Sequence, residues 1–117
     1  MAHLEEGGLM GLSINVEKTP AGLLISVEGE VDVSNAPELR AVLDEALEQG
    51  SPDETDLIEV DLEQVPYIDS TGIGVLVSAT HRASERGMRL VVARPQRNVA
   101  RVLALIGLDG QLGVTGA

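Results

Sequence analysis

The chain has 117 residues, 44% of them apolar and 23% charged, which suits one globular domain with a single core rather than a disordered protein. Its 19 acidic and 8 basic residues give a net charge of −11, which argues against direct nucleic-acid binding and for a protein partner with a basic face. The absence of cysteine removes disulfides, thiol catalysis and thiolate metal sites, and Tyr67 as the lone aromatic leaves no platform for stacking bases.

Residues 1–11, with paired glycines and two glutamates, read as a flexible lead-in, and the folded domain is expected over residues 12–117. No apolar run approaches the ~18 residues of a membrane span and no charged-then-apolar leader opens the chain, so a soluble cytoplasmic protein is expected. Leu12, Ile14 and Val16 alternate with polar residues, the period of a half-buried strand. Lys18 to Gly22 is turn chemistry, and Leu23 to Glu28 is a second strand, so the first two strands form a hairpin.

Leu39, Val42, Leu43, Ala46 and Leu47 then mark one apolar face of a helix. Asn35 and Glu38 have the spacing of a capping box, with Ser34 as an alternative cap, and Gly50 and Pro52 end the helix. The acidic stretch 51–56 is a loop, and Leu57 to Leu62 is a mostly aliphatic third strand. From Thr71 to Arg86 helical spacing returns through Ile73, Leu76, Val77, Thr80 and Ala83, with Gly87 as the residue after the cap. Met88 to Val92 is a fourth strand, Val99, Val102, Leu103 and Ile106 mark a last helix ending at Gly107, and residues 112–114 can add a short strand. This order predicts an α/β (α+β-like) domain: a single mixed sheet of four to five strands with helices packed mainly on one face.

The segment from Tyr67 to Val77 carries the chemistry. It sets Asp69, Ser70 and Thr71 at a strand-to-helix junction, followed by Gly72 and Gly74. The first N–H groups of a helix lack internal partners, so a serine there can cap them. It can also carry a phosphate, since the positive end of the helix dipole tolerates anions. Composition and spacing leave these two roles open.

Other sites fare worse. Asp69, Ser70 and His81 supply the residue types of a hydrolase triad. However, Ile68 stands where a nucleophile elbow needs glycine, and His81 lies ~16 Å along the helix at ~1.5 Å per residue. His3 lies in the lead-in, and no residue is assigned a catalytic role. Gly72-Ile73-Gly74 lacks the third glycine of a dinucleotide loop, having Val77 instead, and no Walker motif is present. Asp53, Glu54 and Asp56 lack calcium-loop spacing, so no metal or other cofactor is expected. Asp44, Glu45 and Glu48 read as the wet face of the first helix. Arg94, Arg97 and Arg101 form the one basic group, read as a solvated surface.

Three segments in order resemble the STAS domain, specifically the bacterial anti-sigma factor antagonist family. They are Glu28-Gly29-Glu30-Val31-Asp32 with Ala36-Pro37-Glu38-Leu39-Arg40, then Val60-Asp61-Leu62 through Tyr67-Ile68-Asp69-Ser70-Thr71-Gly72-Ile73-Gly74, then Val99 to Leu108. The middle segment is the specific one. The resemblance implies a regulatory binding protein, not an enzyme, whose unphosphorylated form binds an anti-sigma factor that is also a GHKL-type serine kinase. Phosphorylation at Ser70 then releases it, and a serine phosphatase resets it. By the same match Asp69, Thr71, Gly72, Glu30 and Asp32 belong to the partner surface. The alternative within the family is a scaffold or regulator in another signalling assembly with a non-sigma target.

Overall fold

Alternation of aliphatic and polar residues builds the sheet, and every second residue of it feeds one core. The computed structural model describes residues 12–50 and 56–105. Strands β1 (Ser13–Thr19) and β2 (Gly22–Glu28) form the expected hairpin, paired antiparallel from Ser13 opposite Glu28 to Thr19 opposite Gly22. Thr19 Oγ1 accepts the N–H groups of Ala21 and Gly22, both at 3.2 Å, which closes the turn. Helix α1 (Ala36–Gln49) leads to strand β3 (Leu57–Gln64), helix α2 (Ser70–Glu85) to strand β4 (Arg89–Ala93), and helix α3 (Arg97–Leu105) follows.

The four strands lie in the order β1-β2-β3-β4, with β2, β3 and β4 parallel. Parallel neighbours need a crossover, and two successive right-handed crossovers in the same direction put α1 and α2 on one face, where they pack on each other. Beneath them Ile25, Val60 and Val92 form one fully buried row across three strands. The single mixed sheet with helices on one face is the architecture expected from the chain order.

Helix α1 buries Leu39, Val42, Leu43, Ala46 and Leu47 as their spacing predicts, and Ala36 with them. Its start departs from the expected capping box. Asn35 is the N-cap residue but makes no side-chain cap bond. Its Oδ1 instead accepts the Asp32 N–H at 2.9 Å, and its Nδ2 donates to the Glu30 carbonyl at 2.8 Å. The Glu38 carboxylate, free of Asn35, accepts the Leu12 N–H at 3.1 Å. Asn35 thus braces the loop before the helix rather than the helix itself.

Helix α2 buries Gly72, Ile73, Leu76, Ala79 and Ala83. Val77 is only partly buried, and Thr80 spends its hydroxyl on the Leu76 carbonyl at 2.8 Å, so the inward stripe runs through smaller residues than expected. Gly87, at φ 73°, takes the place expected of it after the C-cap, its N–H donating to the Ser84 carbonyl at 3.0 Å. On α3, Val99 and Leu103 join the core while Val102 faces out. The lead-in at residues 1–11, the acidic loop at 51–55, the helix end at 106–107 and the short strand at 112–114 lie outside the described residues. Among the described residues no helix is long and apolar enough to cross a membrane.

Candidate functional site

The site is a junction of two loops at the N-terminus of α2. Leaving β3, the chain passes Val65 and Pro66 to reach Tyr67, Ile68 and Asp69. Beside it runs the loop from Gly29 to Asn35. The two are zipped by a short parallel bridge between Val31 and Ile68: the Val31 N–H donates to the Tyr67 carbonyl at 2.9 Å, and the Asp69 N–H to the Val31 carbonyl at 3.0 Å. Gly29 N–H adds a bond to the Gln64 carbonyl at 3.1 Å.

Asp69, not Ser70, is the N-cap. With extended backbone at φ −95° and ψ −178°, its Oδ1 accepts the N–H groups of Thr71 at 2.9 Å and Gly72 at 3.1 Å. Its Oδ2 accepts the Val33 N–H at 3.1 Å, so one carboxylate caps the helix and ties down the neighbouring loop. Ser70 moves to the first helical position and is exposed, as is Thr71. Of the two roles open to Ser70, capping falls instead to Asp69, which precedes it, caps equally well, and is held in line by the bridge to Val31. Among the described residues the serine hydroxyl has no hydrogen-bond partner.

Glycine plays two different parts here. Gly72 is buried, and a Cβ on it would stand 2.6 Å from Val31 Cγ1 and 2.7 Å from Ile68 Cγ1. It lets the helix sit directly on the bridge, so its place in the site is to position Ser70 rather than to face outward. Gly74 is exposed, with nothing within 4 Å of where a Cβ would stand. It lies in a groove between α1 and α2 lined by Arg40, Thr71, Gly74, Val75, Ser78 and Arg82.

The loop beside the bridge carries two carboxylates, Glu30 and Asp32, while Arg40 and Arg82 line the groove next to Thr71. Glu30 is exposed and its side chain faces solvent beside the bridge. Asp32 Oδ1 accepts the Ser34 hydroxyl at 2.5 Å and the Ser34 N–H at 2.9 Å. The Ser34 hydroxyl, then the Ser34 N–H, hold the Asp32 carboxyl below the usual carboxylate range. Among the described residues no ion pair involves Glu30, Asp32 or Asp69.

The loop that carries Glu30 and Asp32 thus lies against the segment that leads into Ser70. The three arginines differ in their pairing. Arg94, a non-glycine residue at φ 50°, is committed to Asp61 and to Glu63 at 3.0 Å, which raises its already high pKa, whereas Arg97 and Arg101 stand exposed on α3. His81 lies exposed on α2, eleven positions after Ser70. Two residues that the sequence does not assign to the partner surface also stand at the junction: Val33 and Tyr67 are exposed apolar side chains on the two zipped loops. Val33 carries no periodic signal, since it falls between elements. Tyr67 was marked in the sequence by being the lone aromatic.

Comparison with known proteins bears on the family and the fold. The family described as "Mlab, STAS domain" matches residues 14–115. The anti-sigma-B factor antagonist of Staphylococcus aureus (strain NCTC 8325 / PS 47) is 31% identical over 105 residues, covering 88% of this chain and 94% of its own. Among solved structures, an anti-sigma factor antagonist from Mycobacterium paratuberculosis superposes with a TM-score of 0.79 at 20% identity, covering 96% of this chain and 92% of its own. The Bacillus cell fate determinant SpoIIAA in its phosphorylated form does so with a TM-score of 0.67 at 21% identity, covering 90% of this chain and 91% of its own.

Proposed function

This chain belongs to the STAS domain family, among the anti-sigma factor antagonists, and from that premise we propose that it frees a sigma factor by binding an anti-sigma factor and is switched off at Ser70. The partner is an anti-sigma factor with GHKL-type serine kinase activity, a serine phosphatase restores the binding form, and the exchange takes place in the cytoplasm. The chain itself turns over no substrate. One observation carries the reading: an exposed Ser70 at the first position of α2, relieved of capping by Asp69.

The chemistry follows from that placement. A phosphate adds about −1.5 to −2 charge, and the positive end of α2 tolerates it. Because Asp69 already holds the Thr71 and Gly72 N–H groups, those donors are not free to draw the phosphate into the helix end. The phosphate projects outward. In a kinase the surface facing the acceptor hydroxyl holds the nucleotide phosphates and a catalytic carboxylate. The new charge therefore meets negative charge across the contact, and release follows without rearrangement of the fold.

Thr71, Glu30 and Asp32 contribute to the docking surface, while Asp69 and Gly72 position it. Gly74 supports the same reading. In a helix interior glycine costs about 0.5–1 kcal/mol relative to alanine, and no internal contact requires it here, so a close approach from outside accounts for it. The test is phosphopeptide mapping. After incubation with ATP and the anti-sigma factor captured by a Ser70→Ala chain, the label is expected on Ser70 alone and absent from Ser70→Ala. Label on Thr71 or elsewhere overturns the assignment.

A further inference from the structure

Four large apolar side chains are exposed among the described residues: Val33 at 68%, Tyr67 at 50%, Val102 at 39% and Leu105 at 78%. The last two lie on α3. Val33 and Tyr67 come from segments far apart in sequence, yet both belong to the hydrogen-bonded strip at the foot of α2. The Val33 N–H donates to Asp69 Oδ2 and the Tyr67 carbonyl accepts the Val31 N–H. Their backbones are held and their side chains are in water. That combination lowers the entropy lost on docking while leaving apolar area still to be buried.

A tyrosine with an apolar body and a polar tip is among the side chains most often dominant at protein interfaces. On the Val33 side the ground is acidic, while on the Tyr67 side Asn98 Nδ2 donates to the Pro66 carbonyl at 2.6 Å and brings the start of α3, with the exposed Arg97, alongside. Glu30 and Asp32 stand on the same loop as Val33, with no cation paired to either among the described residues, on a chain of net charge −11. By complementarity the occupant is a protein surface that offers an apolar seat ringed by lysine or arginine. The same charge argues against a nucleic acid or an anionic membrane surface.

We infer that Tyr67 and Val33 are the apolar anchors by which the anti-sigma factor docks, with its basic side chains set against Glu30 and Asp32. This rests on the proposed function, since it takes the partner from there. It divides the surface into two parts: anchors and acidic loop hold the partner, and Ser70, three residues beyond Tyr67, faces the partner's nucleotide. Affinity and release then reside in different side chains.

The experiment uses the full chain carrying Ser70→Ala as the reference binder, with the anti-sigma factor it captures, purified, as the probe for calorimetric titration. Adding Tyr67→Ser or Val33→Ser should weaken binding by about tenfold or more, while the urea unfolding midpoint stays put, because both side chains are exposed. Leu105→Ser, an exposed apolar change on α3, should leave affinity unchanged. The reference affinity should fall as salt rises, and less steeply in Glu30→Gln. Anchor variants that bind within about twofold of the reference overturn the inference and leave the switch standing. If Ser70→Asp binds as tightly as Ser70→Ala, the switch at Ser70 fails instead. If Ser70→Ala captures no anti-sigma factor, both fail.

Discussion

Asp69 is the residue on which the site turns. It accepts hydrogen bonds from the N–H groups of Thr71, Gly72 and Val33, so it caps α2 and fixes the adjacent loop together. Asp69→Ala should lower stability by about 1–2 kcal/mol, the range of a lost N-cap, with the extra tie to Val33 placing it toward the upper end. Asp69→Asn, which keeps an oxygen for the helix N–H groups, should recover most of that in urea unfolding. A loss no larger than that of an exposed-surface substitution contradicts the capping role. Asp32 offers a second test, by pH. Its carboxyl is held below the ordinary value of 3.8, first by the Ser34 hydroxyl and then by the Ser34 N–H. A depressed carboxylate contributes stability above its unfolded pKa and loses it as pH falls through the folded one. The Asp32–Ser34 turn should therefore persist at pH 4 and open only below it. In Ser34→Ala the Asp32 carboxyl resonance should titrate at higher pH than in the unmodified chain.

At the scale of the element, α2 holds two glycines with opposite physical meanings. Gly72→Ala drives a Cβ into Val31 and Ile68, both buried, and should cost about 1–3 kcal/mol of stability. Gly74→Ala meets open space and should add about 0.5–1 kcal/mol through helix propensity alone. Urea midpoints moving in opposite directions confirm the assignment, and two shifts of the same sign refute it. The helices themselves were legible in the sequence, because periodic leucines and valines mark α1 without help from tertiary contacts. Their starts were not. Asn35 and Glu38 stand at capping-box spacing, but each bonds elsewhere, Asn35 to Asp32 and Glu30 in the loop just before the helix and Glu38 to the distant Leu12. Asp69 and Ser70 are adjacent residues of equal capping ability, and the bridge from Val31 to Ile68, thirty-seven positions apart in the chain, decides between them.

For the whole molecule, alternating aliphatic residues and crossover helices were enough to read one mixed sheet covered on one face, since few topologies satisfy that order. The motif at Ser70 was likewise visible, together with the acidic loop beside it. The exposure of Val33 and Tyr67 was not, because neither a residue between elements nor a lone aromatic reveals its burial until the two loops are paired. Net charge acts at this scale too: at −11 the chain attracts a basic partner over a distance, and that attraction weakens with salt. Release of the complex needs something local, and the proposed switch assigns it to the exposed hydroxyl at the head of α2. The measurement that bears on this most directly is the affinity of the purified anti-sigma factor for the chain before and after phosphorylation of Ser70. The account predicts tight binding of the unmodified chain and of Ser70→Ala, with affinity lost by at least about a hundredfold in the phosphorylated form at an unchanged fold. Equal affinity for the two forms would contradict it.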